Sequence, residues 1–60
     1  MSKRKVLDLR EGDKLIDTDG VKFTVLDTRL SSDGKIELLL SNLYLLSRRT
    51  YDSSEFVEVL

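Results

Sequence analysis

The chain has 60 residues, 40% hydrophobic and 35% charged, with 10 Lys and Arg against 11 Asp and Glu, the balance of a folded domain rather than a disordered one. Cysteine, histidine and proline are absent, which excludes disulfides, thiolate or imidazole metal centres and a serine activated by histidine. A net charge of −1 and a pI near 5.2 provide no bulk attraction to nucleic acid or to an anionic membrane, although local patches can override the total.

At this length residues 1–60 are read as one small domain, burying only about 60% of the surface of its unfolded chain. Without the staples that small scaffolds use, its stability has to come from packing, helped if need be by self-association. No stretch approaches the roughly 20 apolar residues that span a bilayer, and no signal-peptide pattern opens the chain, so a cytoplasmic protein is expected. Alanine, glutamine and tryptophan are missing too, a bias that suits a short natural chain or a designed one.

In chain order, residues 1–5 are polar and basic and are expected to be a frayed tail. They lead into Val6, Leu7 and Leu9, a candidate short edge strand. Gly12 and Asp13 mark a turn. Leu15 and Ile16 belong to a strand that ends at Asp19-Gly20, a dipeptide suited to a type I′ hairpin turn because Asp and Gly tolerate positive φ. The return strand alternates, with Val21, Phe23 and Val25 on one face and Lys22 and Thr24 on the other. The pattern then slips by one residue near Val25-Leu26, the mark of a β-bulge, and Leu26, Thr28 and Leu30 continue the apolar face.

Asp33-Gly34 makes the second hairpin turn, and Ile36, Leu38 and Leu40 alternate in a central strand. Residues 43–51 read as a strand pairing back after a turn at Ser41-Asn42. The alternative is a helix over 35–49, since Ile36, Leu39, Leu40, Leu43 and Leu46 also recur at helical spacing. The leucine-rich run is core under either reading. Residues 52–55 suit a short 3₁₀ turn, and 56–60 a last strand.

Ser53-Ser54-Glu55-Phe56-Val57-Glu58-Val59-Leu60 resembles the closing segment of SH3-type barrels, and Leu9-Arg10-Glu11-Gly12-Asp13-Lys14-Leu15 is similar to their opening. The resemblance implies an all-β, antiparallel SH3-like barrel of about five strands, a form also used by nucleic-acid-binding modules. The tryptophan and paired aromatics of a polyproline groove are missing; the aromatics are Phe23, Tyr44, Tyr51 and Phe56, and the two phenylalanines are expected in the core.

Leu15-Ile16-Asp17-Thr18-Asp19-Gly20-Val21 also resembles the nucleophile motif of haloacid-dehalogenase-type phosphatases, in which the first Asp attacks phosphorus and the second serves as acid and base. A strand pattern resumes directly after the glycine, however, and 60 residues cannot supply the large parallel sheet of that architecture. Asp13, Asp17 and Asp19 lack the remaining ligands of a calcium loop. These carboxylates are read as turn residues; no catalytic residue, metal or cofactor is expected.

The expected function is therefore non-enzymatic recognition of a protein partner, not identified by the sequence, through a barrel face or strand edge. A phage or mobile-element accessory protein is one such setting. The edge is placed at residues 5–9 and 55–60, with Val57 and Val59 as contacts. The alternative is RNA or DNA binding through Lys3, Arg4, Lys5, Arg48, Arg49 and Tyr51, the cations tracking phosphates while the ring stacks on a base. A designed or minimal barrel without a ligand is a third possibility, and a homodimer is compatible with each; no membrane partner is expected.

Overall fold

Tight turns closed by backbone hydrogen bonds fold the chain into one antiparallel sheet. The structure, a computed structural model that describes residues 2–60, contains strands β1 (Ser2–Lys5), β2 (Lys14–Ile16), β3 (Lys22–Leu30), β4 (Lys35–Ser41), β5 (Leu46–Asp52) and β6 (Phe56–Val59). Their order across the sheet is β1-β6-β2-β3-β4-β5. The expected all-β antiparallel class is the observed one, with six strands rather than five. The helix weighed for 35–49 gives way to strands β4 and β5, paired from Lys35↔Asp52 to Ser41↔Leu46, because the two-residue alternation of Ile36, Leu38 and Leu40 buries all three on one face.

The expected frayed tail is instead strand β1. Ser2–Lys5 pairs with β6 from Ser2↔Val59 to Lys5↔Phe56, so backbone hydrogen bonding orders a segment whose side chains are all exposed; Met1 of that tail lies outside the described residues. The edge strand expected at Val6, Leu7 and Leu9 is instead a 3₁₀ turn, Val6–Asp8. It directs Val6 and Leu9 into the core. At residues 52–55 the chain makes a turn closed by Glu55 N–H donating to the Asp52 carbonyl at 3.0 Å.

Both Asp-Gly hairpins form with a different turn chemistry. Gly20 and Gly34 have φ of 81° and 80°, while among the described residues no other residue type has positive φ, so Asp19 and Asp33 do not take the conformation of a type I′ turn. Gly20 N–H donates to the Asp17 carbonyl at 3.0 Å and Asp17 N–H to the Val21 carbonyl at 3.0 Å. That is a three-residue loop in which a type I turn precedes a left-handed glycine. Gly34 with Ser31, and Ser31 with Lys35, repeat the pattern.

The core is Val6, Leu9, Leu15, Phe23, Val25, Ile36, Leu38, Leu40 and Val59, with Tyr51 and Val57 packed against it. The bulge lies where the alternation slips, the β3–β4 register shifting between Val25 and Asp27. Beyond it Thr28 and Leu30 stand opposite Leu38 and Ile36 but stay exposed, as does Leu26, because β2 accompanies β3 only as far as Thr24. The leucine run also divides: Leu38 and Leu40 are buried, whereas Leu43, Leu45 and Leu46 are exposed. Phe56 is exposed as well; it shares a cross-strand position with Lys5 on the face opposite Val57 and Val59.

Leu40→Ala is expected to cost about 2–5 kcal/mol, against no more than about 0.5 kcal/mol for Leu43→Ala, read from the midpoints of urea unfolding curves. Gly34→Ala meets no atom within 4 Å of the new Cβ, so its cost is that of left-handed backbone alone, about 1–2 kcal/mol. Gly34→Asn should lose less in the same assay.

Candidate recognition surface

The six basic and aromatic residues expected to form one patch are divided by the fold. Lys3 and Lys5 project from one face of β1 and Arg4 from the other, where Arg4 Nη1 lies 3.3 Å from Asp13 Oδ2. Lys5 sits over the exposed ring of Phe56, 5.9 Å from its centre. On β5, Arg48 faces outward, 3.9 Å from Glu37 Oε1, while Arg49 and Tyr51 face inward as half-buried residues. The curl of the sheet brings Lys3, Arg49 and Tyr51 to one groove of about 600 Å³ with Phe56; Arg4, Lys5 and Arg48 are not part of it. Asp17, Glu55 and Glu58 line the same groove, so three carboxylates stand against two cations.

Arg49 closes the open flank of the core. Its guanidinium lies 4.9 Å from the centre of the Phe23 ring, a cation–π contact, and 3.4 Å from Asp17 Oδ2. The Tyr51 hydroxyl and the Asp17 carboxylate both hold Arg49 in its charged form. Burial opposes ionisation of Asp17, but the Val21 and Asp19 N–H groups and Arg49 outweigh it and hold the carboxyl below its usual range. The two N–H groups donate to Asp17 Oδ1 at 3.1 and 2.9 Å. The carboxylate that a phosphatase would use as nucleophile is thus occupied in shaping a turn and anchoring a strand.

Val57 and Val59 are not on an edge. β6 lies between β1 and β2, paired to both, Val59 is buried, and Val57 packs on the core. The outermost strands are β1 and β5. From its residues alone the closing strand reads as a rim strand, because its partners are remote in the chain and no local signal reports them.

The surface that the sequence reading assigned to the core is the turn between β4 and β5. Leu43 and Tyr44 retain 93% and 89% of their exposure, with Leu45 and Leu46 also exposed beside them. The turn is built rather than loose. Asn42 Oδ1 accepts from the N–H groups of Tyr44 at 2.8 Å and Leu45 at 2.9 Å, and Asn42 N–H donates to the Leu45 carbonyl at 3.0 Å. The asparagine inside an apolar run was the available signal, since such a side chain commonly fixes a turn. Beneath the tip, Val21, Phe23 and Leu60 join Leu43 and Tyr44 around a groove of about 790 Å³.

No known family model matches this chain, and no curated protein or solved structure does so either. Among the described residues there is no cluster of side chains able to hold a metal ion, and no helix is long and apolar enough to cross a membrane.

Asp17 has its folded-state pKa below the unfolded value of about 3.9, so its ionised form stabilises the fold fully above that value and the contribution is lost as pH falls through the folded-state pKa. Asp17→Asn is expected to lower stability at neutral pH and to make the loss of stability below about pH 4 less steep. Asp33, lowered mainly by the Ser31 hydroxyl, leaves a residual slope. Urea titrations across the acid range check this; an unchanged slope refutes the role given to Asp17.

Proposed function

We propose that the protein is a non-enzymatic recognition module that binds a protein partner through the β4–β5 turn and the groove beneath it. The observation that carries this reading is the ordered exposure of Leu43 and Tyr44 at 93% and 89%. Exposed apolar side chains are ordinary when scattered, but a contiguous group of them marks a surface that meets another molecule. Pre-organisation strengthens the point, since a tip fixed by Asn42 loses little conformational freedom when a partner covers it. The curled antiparallel sheet and the turn at 52–55 before the closing strand support an SH3-like description, which by itself carries no function. A cytosolic setting fits a chain free of cysteine.

The nucleic-acid alternative has Lys3, Arg49 and Tyr51 around one groove in its favour. The three carboxylates there and the ion pairs that engage Arg4, Arg48 and Arg49 oppose a polyanion, which needs unpaired cations to displace its counterions. Recognition of protein is the better supported reading.

Selection of binders from a displayed random-peptide library, followed by amide NMR mapping of their footprint, tests it. Selected peptides are expected to shift the amides of residues 20–24 and 42–46, and the Leu43→Ser/Tyr44→Ser double variant should lose binding by at least about 2 kcal/mol while keeping a folded spectrum. Footprints confined to the β1 or β5 edge, or binding unaffected by the double variant, would refute the proposed face.

A further inference from the structure

The charge around the apolar groove selects among occupants. Among the described residues, Lys14 and Lys22 carry the only charged side chains that line it. They lie on adjacent strands, with Lys14 opposite Thr24 and Lys22 opposite Ile16, which makes them diagonal neighbours on the outer face of the β2–β3 hairpin. Both are exposed, and neither is in an ion pair among the described residues. In a chain of net charge −1 the side chains that rim the apolar recess therefore carry charge of one sign.

We propose that the occupant is an acidic segment of another protein that carries apolar anchors: leucine-like or aromatic side chains enter the groove between Val21, Leu43, Tyr44 and Leu60, and flanking carboxylates meet Lys14 and Lys22. This rests on the recognition reading above and adds the partner's chemistry. A second copy of the chain fits poorly, because a two-fold contact through this face gathers four lysines and no carboxylate side chain from the groove's lining into one interface, and like charges brought together across an interface are strongly unfavourable. An acidic partner turns the same lysines into attraction, with anchors supplying affinity and charges supplying selectivity and encounter rate.

The test is an amide NMR titration of isotope-labelled protein with two short synthetic peptides of identical apolar side chains, one with glutamates and one with lysines between them. The glutamate peptide is expected to shift residues 20–24 and 42–46, to bind at least about tenfold more tightly than the lysine peptide at low salt, and to lose that margin as salt screens the rim. In the double variant Lys14→Glu/Lys22→Glu, with its fold checked by the free spectrum, the preference should reverse. Equal affinity for both peptides at this footprint would overturn the acidic-partner inference and leave the recognition reading intact; no footprint at this face with either peptide or with library-selected binders would overturn both. Slowed diffusion of the free protein that depends on Leu43 would assign the face to a second copy. Binding to phosphatidylserine vesicles that depends on Leu43 and Tyr44, with neither peptide bound, would assign it to lipid, and either result refutes the proposal.

Discussion

The insertion of Leu26 into β3 is the constraint on which the shape of the molecule depends. A core of side chains from one sheet, without a second layer to cover it, is shielded only if the sheet curls over its own inner face, and a bulge supplies the added twist that bends a strand. Before the bulge Val25 faces Leu40, and after it Asp27 takes up pairing with Leu39. Had the register continued unbroken, the remainder of β3 would have presented its alternate residues to the opposite face. The inserted residue keeps Thr28 and Leu30 across from Leu38 and Ile36, so β4 follows the bend and carries β5 with it.

Closing the curl falls to polar chemistry. β5 turns Ser47, Arg49 and Tyr51 inward, a poor set for an apolar interior; Tyr51 packs against the core and the charge of Arg49 is met by specific partners. Arg49 lays its planar cation on Phe23 and reaches Asp17 across the open flank, while its aliphatic stem covers apolar surface. Asp17 has its other oxygen engaged in the hairpin turn. One carboxylate thereby ties the local geometry of the β2–β3 loop to the position of a strand far along the chain. The arrangement suits a chain of 60 residues without cysteine, for which no covalent staple is available to make that link.

Which features the sequence disclosed follows from the range of the interaction behind each. The bulge was legible because a slip in a two-residue alternation is a local event, and Gly20 and Gly34 marked the turns because only glycine takes the left-handed position easily. The turn type was missed because Asp beside Gly permits two hairpin loops, and hydrogen bonding by Asp17 and Asp33 favours the longer one. Pairing of Ser2–Lys5 with β6 joins opposite ends of the chain, so polarity alone suggested a loose tail. Lysine is in fact a common guest on an edge strand, where it discourages unwanted strand addition. Hydropathy could not separate Leu40 from Leu43 either, since burial is decided by the bend at Asn42 and not by the side chain.

That last division bears on function. A chain near the lower size limit for independent folding has reason to bury every leucine it carries, and exposed leucine at a hairpin tip adds nothing to the folded core while raising the hazard of association. The geometry nevertheless fixes Leu43 and Tyr44 outward with three hydrogen bonds around Asn42. A helix over 35–49 would have drawn the same leucines onto one face; instead the backbone gives the inward positions of β4 to Ile36, Leu38 and Leu40 and releases the leucines that follow. An apolar tip that is ordered, raised beside a recess and rimmed by two lysines that make no ion pair among the described residues has the form that the recognition surface proposed above requires.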